Sequence, residues 1–414
     1  MELTRRHAHR SIYLTSAFFL TYFTAVFSAK AQIVPDATLP VNSTVTTNGQ
    51  VHTINGGTAR GVNLYHSFQD FSVPTNNTAY FNNAPQVQNI LTRVTGSSAS
   101  DIDGTIRANG NANLYLLNPN GITFGQNAKL EIGGSFTGST GSSFKLPDGS
   151  EFSAKNPQAP PLLTMSITPG LQYGTSDPGA TISNSGKLTV PQDLTLVADK
   201  LDLQGQLQAG GNITLKAQDE VKIRDTTTSP FVAISGGDLL IQGNQNVDIF
   251  ALNNPLTQIL SGRNLSLVSD GVISGDAHFL SGGNFTIQSL SGTPVNFTSL
   301  YDPIISSVGN VNIVGDYNGS ASLLIESQGS VKIGNVTNIT NPDTVSNFQG
   351  SDTILSTQPG LIIRSGQASL VYGGNNQNNP PTYTSGVIPA GIEVGNIKGT
   401  SKNQSETKNE NKKR

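Results

Sequence analysis

The chain is 414 residues long with a formal net charge of −3, and only 12% of its residues are charged, about half the roughly 25% usual in globular domains. Gly (44 residues), Asn, Ser and Thr fill the gap. No basic excess is present, which excludes a nucleic-acid binder that neutralises phosphates with a cationic stripe.

Residues 1–31 read as a secretory signal. Arg5, Arg6 and Arg10 form the positive start, residues 11–28 the apolar run, and Ala29-Lys30-Ala31 the small-residue cleavage site. The mature chain is therefore expected to begin at Gln32. The run is about long enough to span a bilayer, but its Thr and Ser interruptions and the cleavage site favour a removed signal. Removal takes away four cations (Arg5, Arg6, Arg10, Lys30) and one acid (Glu2), leaving the mature chain near −6. Residues 32–60 read as strands and turns that cap the first full coils.

Residues 61–136 carry the densest signal. In order come Asn63-Leu64-Tyr65-His66-Ser67-Phe68, Ile90-Leu91-Thr92-Arg93-Val94-Thr95-Gly96, Gly104-Thr105-Ile106, Asn118-Pro119-Asn120-Gly121-Ile122 and Gly133-Gly134-Ser135-Phe136. Taken alone, 118–122 is a tight turn: Asn and Pro initiate it, and Asn-Gly accepts positive φ at little cost. Tyr65, Phe68 and Phe71 read as buried packing aromatics.

Together and in this order the blocks resemble the N-terminal secretion domain of the filamentous-haemagglutinin family, the exported partners of two-partner secretion systems. Residues 118–122 match that family's Asn-Pro-Asn-Gly-Ile secretion motif at every position, and Asn63–Phe68 resembles the cyanobacterial-type variant of its upstream block. The Asn-Pro-Asn-Leu turn many relatives carry near that block is absent. The resemblance implies export in a Gram-negative cell through an outer-membrane β-barrel transporter with periplasmic docking modules. It also implies adhesion or haemagglutination as the end function, with a glycan or protein on a host or neighbouring cell as target. The chain has no Cys. That suits a protein crossing an oxidising periplasm and then threading a second membrane unfolded, and equally chance in such a composition.

Residues 145–181 are Pro- and Ser-rich and read as an excursion from the coils. Beyond 186 the chain is a repeat. Apolar pairs two residues apart recur at Leu194/Leu196, Leu201/Leu203, Ile213/Leu215, Val221/Ile223, Leu239/Ile241, Val247/Ile249, Leu265/Leu267, Phe285/Ile287, Val311/Ile313 and Val331/Ile333. Each pair faces one side of a short strand. Offsets of 19, 20 or 26 residues connect them, as for Leu194 to Ile213, Leu201 to Val221 and Ile213 to Leu239. That is a coil near twenty residues, sometimes lengthened by a loop. Gly-Asn and Gly-Asp pairs such as Gly211-Asn212 and Gly237-Asp238 precede several strands and are read as corners needing left-handed backbone angles.

The expected fold is all-β: a right-handed parallel β-helix with an N-terminal cap and excursions, a β-sandwich being the alternative. The divisions are 1–31 signal, 32–185 secretion domain with its cap, 186–398 continuing coils and 399–414 a disordered polar tail. Nine or ten coils are expected, few for a filament. A short adhesin, a fragment and an export module parted from its effector stay open.

No catalytic constellation stands out, and neither a cofactor nor a metal is expected. His52, His66 and His278 lack a ligand partner at metal spacing, and no nucleophile elbow, phosphate loop or calcium nonapeptide appears. A β-helix polysaccharide lyase or hydrolase is the competing enzyme reading. It would draw on Asp199, Asp202, Asp219, Glu220, Asp225, Asp238 and Asp248, of which Asp199, Asp219 and Asp225 are offset near coil spacing. A structural cell-envelope β-helix is the third.

Overall fold

The computed structural model describes residues 32–146, 150–157, 172–226, 228–253, 258–373 and 390–399. The expected signal, residues 1–31 with Ala29 and Ala31 of its cleavage site, and the polar tail from 400 lie outside the described residues. All described residues belong to the unit that begins at Gln32.

The chain winds into a parallel β-helix with three faces. One full coil shows the rule: Leu194–Ala198 lies on the first face, Lys200–Leu203 on the second and Gln206–Ala209 on the third, and Ile213–Ala217 then stacks on Leu194–Ala198. Among the described residues the first face holds 14 strands. Ile33–Pro35 and Thr58–Arg60 pair antiparallel with Asn63–Phe71, which leaves twelve stacked in parallel. That is more than the nine or ten coils read from the sequence: eight run from Leu194–Ala198 to Ile392–Val394, and Asn63–Phe71, Asn89–Val94, Asn113–Leu117 and Phe136–Ser139 extend the same column toward the N-terminus.

The offsets are real registers. Leu194, Ile213, Leu239, Leu265, Phe285, Val311 and Val331 pair in succession up the first face. Leu201, Val221 and Val247 do so on the second. Coils of 26 residues carry their extra length at corners: 225–231 and 251–258 between second and third faces, 289–296 between first and second. Inward side chains from every coil merge into one core from Ile33 to Ile363, so each strand buries an apolar edge it could not bury alone.

A polar line runs along the corner ahead of the first face. The side-chain oxygens of Asp193, Asn212, Asp238, Asn264, Asn284 and Asn310 each accept the backbone N–H one coil on, at 2.6–3.0 Å. The line continues back through Ser135, Asn113, Asn89 and Asn63. It corrects the expectation that the corner glycines serve left-handed backbone angles. Gly211 and Gly237 do not have positive φ. They are needed because a Cβ would lie 2.3 Å from the Asp193 or Asn212 oxygen of the coil below.

Both ends of the described helix carry additions. At the N-terminal end, Ile33–Pro35 covers the edge of the first face, and the hairpin Ser43–Asn48/Val51–Gly56 starts the third. These strands occupy an edge that would otherwise be open to foreign chains. After Ser139 the chain leaves the helix, forms an antiparallel sheet of Ser143–Lys145, Glu151–Ser153 and Gln172–Tyr173, and returns at Thr181–Asn184. A second excursion, 340–360, includes a 3-10 helix at Gly350–Ser356 and returns to the third face at Leu361–Arg364.

Candidate functional site

The turn at 118–122 joins the first face to the second. Gly121 N–H donates to the Asn118 carbonyl at 3.1 Å, closing a β-turn, and Gly121 sits at φ +119°. An L side chain there would be strained. The fully buried Asn118 is the hub. Its Nδ2 donates to Ser98 O and to Ser100 Oγ, each at 3.0 Å, on the preceding coil. Its Oδ1 accepts from both N–H and Nδ2 of Asn120, also at 3.0 Å. Asn120 is exposed but ties back to Gly96 O at 2.8 Å. Pro119 is buried, and Ile122 sits in the core between Ser100 and Ile182. The turn therefore locks one coil on another, with Asn120 as its exposed polar side chain.

The upstream block forms the first complete rung. Within Asn63–Phe71, Asn63 through Phe68 are all buried. Asn63 starts the corner line. His66 and Phe68 turn inward, the imidazole 5.4 Å from the Phe81 ring and its Nδ1 3.0 Å from Ser43 Oγ. Burial drives the imidazole pKa down to about 3, so this histidine is neutral and structural. Tyr65 and Ser67 turn outward, yet they are buried as well, because the first excursion lies over them. Tyr65, Leu91 and Leu117 pack against Leu39, Phe144, Phe152 and Ala154.

Under that cover lies Arg93, a residue whose role the sequence does not announce. It is 0% exposed. Its Nε donates to Ser67 Oγ (2.9 Å), Nη1 to Ser153 O (2.8 Å) and Nη2 to Thr38 Oγ1 (2.9 Å), and the guanidinium lies 4.4 Å above the Phe152 ring. One side chain thus joins cap, first coil and excursion. Burial lowers its pKa to about 10, with Asp36 opposing, so it stays charged at neutral pH. Burial disfavours the Asp36 carboxylate, but hydrogen bonds from Thr95, Thr38 and Ser67 outweigh it and hold the pKa below 3.8. The sequence signal is an arginine inside an otherwise continuous buried run, Asn89–Val94.

Six of the seven acids of the enzyme reading are spent on structure; the seventh, Asp202, has its Oδ1 buried without a hydrogen-bond partner. Asp199 and Asp219 do stack, Asp219 N–H donating to Asp199 O at 2.8 Å. Asp225 does not join them: it follows the second-face strand Glu220–Arg224 and accepts from Phe231 N–H in its own loop and from Asn253 N–H one coil on. Asp219 pairs with Lys200, Asp248 with Arg224, Glu220 accepts from Asn246, and Asp238 belongs to the corner line. Among the described residues no group of His, Asp and Glu could hold a metal ion. No helix among them is long and apolar enough to cross a membrane.

A capped three-faced solenoid bearing this turn defines the class. Residues 31–287 match the model of the TPS (two-partner secretion) secretion domain, and the chain belongs to that family. A heme/hemopexin-binding protein of Haemophilus influenzae is 32% identical over 130 residues, 29% of this chain and 13% of that protein. The chain therefore spans only a small part of that relative's length. Two solved structures align at 14% identity: a filamentous hemagglutinin secretion domain (TM-score 0.38, 88% of this chain, 100% of that one) and the HMW1 secretion domain from Haemophilus influenzae (TM-score 0.36, 89% and 100%). The three-faced architecture rests on this chain's own strand registers. The family is defined by export, not by catalysis.

Proposed function

We propose that this protein is the exported passenger of a two-partner secretion pair. The signal directs the chain to the periplasm and is removed ahead of Gln32. Residues 32–185 are engaged there, still extended, by the docking modules of an outer-membrane β-barrel transporter, through strand addition to an exposed edge. The coils fold outside, N-terminus first, each templating the next. Stacking energy accumulates coil by coil and opposes backsliding. The mature protein acts at the cell surface or in the medium as an adhesin-like molecule toward a glycan or protein.

The family match over 31–287 carries this reading. The buried hydrogen bonds of the 118–122 turn support it, since they form only when two successive coils meet. The structural employment of Asp199, Asp219, Asp238 and Asp248 weighs against the polysaccharide-enzyme reading.

The test is fractionation of cells expressing the full chain with and without its cognate transporter. Transporter-dependent appearance outside the cell is expected, and Asn118→Ala with Asn120→Ala is expected to cut export about tenfold or more. Equal export of wild type and double variant, or periplasmic retention with the transporter present, would overturn the proposal.

A further inference from the structure

Segment 340–373 lies beyond the family match. It folds over the outward side of the third face, where Phe348 and Leu355 pack on Ile304 and Leu324. Five carboxyl groups are buried in or beneath it: Asp276, Asp302, Glu326, Asp343 and Asp352. Three are amply partnered. Asp276 Oδ1 accepts the backbone N–H groups of Leu300, Tyr301 and Asp302 and the Ser299 hydroxyl. Glu326 accepts from Ser306 Oγ and from the N–H groups of Val371 and Tyr372. Asp352 is paired with Arg364 and accepts from the Tyr372 hydroxyl.

The other two are joined through one serine. Ser346 Oγ contacts Asp302 Oδ1 and lies 2.6 Å from Asp343 Oδ2. His278 Nε2, on the strand beneath, is 3.0 Å from the Asp302 carboxylate and 3.1 Å from Ser346 Oγ. Tyr317 lies within electrostatic reach of Asp276 and Asp343, but its hydroxyl donates to Ala321 O at 2.9 Å. Ser346 has a single hydroxyl hydrogen. With both carboxyls ionised, that hydrogen would serve one oxygen contact and leave the other as facing lone pairs. The arrangement therefore holds one extra proton on the Asp302–Asp343 pair. Asp302 has the His278 imidazole beside it as a further partner and Asp343 does not, so the geometry points to Asp343 as the member that keeps the proton.

We propose that residues 340–349 are a pH-gated cover, closed while the Asp302–Asp343 pair holds its proton and loosened when that proton leaves, which lifts Phe348 from Ile304 and Leu324. Burial, then the Asp302 charge, raises the Asp343 pKa from 3.8 to about 6. A raised carboxyl contributes its full stability below 3.8 and loses it as pH rises through about 6. The displacement of roughly two units corresponds to an opening equilibrium about a hundred-fold larger when the carboxyl is ionised in both states than when it is protonated in both. The Asp352–Arg364 pair keeps 350–364 docked, so loosening is confined to the preceding turn.

Hydrogen exchange on the full chain, corrected for intrinsic rates, tests this at pH 5 and pH 8. The amides of Val345 and Ser346, which donate to Asp343 Oδ1 at 2.9 Å, are expected to exchange about ten times faster at the higher pH, with Val221–Ile249 unchanged. Asp343→Asn, whose amide can donate to Ser346 Oγ without titrating, is expected to stay closed at both. Asp302→Asn, which removes the neighbouring charge, is expected to shrink the pH response if the Asp343→Asn variant misfolds, and an undiminished response in it would count against the proposal. Equal corrected rates for wild type at the two pH values, or a wild-type pH response in a folded Asp343→Asn protein, would overturn the proposal.

Discussion

The coils between Leu194 and Val268 and those between Asn63 and Ser139 are built on one plan but solvated differently. In Ile213–Ala217 burial alternates, inward residues hidden and outward ones half exposed. In Asn89–Val94 every residue is buried, because the first excursion lies across the outward side. A covered strand must satisfy packing on two faces, as strands in parallel sheets roofed by helices do. Its sequence loses the polar half of the alternation, and any charge left beneath the cover needs designed partners. The bare coils need only an apolar inner column and a tolerant exterior.

The strongest break in that comparison is Arg93. Removing it takes a charged donor from Ser153 O, Ser67 Oγ and Thr38 Oγ1 beneath the cover and leaves Asp36 without its cation. Arg93→Met is expected to cost about 3–5 kcal/mol, read as a lower urea midpoint with joint loss of amide protection at 32–39 and 150–157. Lys222→Met, on a bare coil, is expected to stay within about 0.5 kcal/mol. Similar losses at the two positions would mean that Arg93 does not join cap and excursion.

A smaller effect separates outward positions of matched type. Leu91 and Leu240 both point away from the helix core, Leu91 beneath the excursion and Leu240 half exposed. Leu91→Ala is expected to destabilise by about 2–5 kcal/mol and Leu240→Ala by less than about 1 kcal/mol. Equal urea midpoints for the two variants would remove the excursion as a second packing layer.

These contrasts mark how far the fold is legible in the sequence. The first two faces announce themselves because their inner positions are Leu, Ile, Val and Phe, and their spacing is the register itself. The third face is silent. Its inward positions include Ala209, Ala233 and Ala277 and the serine column Ser235, Ser261, Ser281, Ser307 and Ser327, small residues whose alternation carries little hydrophobic contrast. The turn at 118–122 is visible as a turn. Its bonds to Ser98 and Ser100 are not, since they span 18–20 residues and exist only once the coils are in register. The corner glycines are located by the sequence but not explained by it, because backbone freedom and close approach leave the same letter. Arg93 reads as one member of a motif block and nothing more. Its burial depends on an excursion some sixty residues later in the chain.

The two covers also differ in the sign of their pH response, and this gives the finest test. Beneath the first cover Asp36 has a lowered pKa: its hydrogen bonds from Thr95, Thr38 and Ser67 favour the charged form more than burial disfavours it. Such a carboxyl contributes stability above its unfolded value of 3.8 and loses it as pH falls through the lower folded value. Beneath the second, Asp343 loses its contribution as pH rises through about 6. Between about pH 5 and pH 8 the first cover should therefore hold constant protection at 150–157 while Val345 and Ser346 loosen. Below about pH 4 the order reverses, with the first cover weakening and an Asp36→Asn variant, destabilised at neutral pH, showing no further acid loss. Covers that loosened together on the same side of neutrality would show that one cooperative event governs both. Opposite responses would establish that excursions on one solenoid open independently, as expected when each coil contacts only its neighbours.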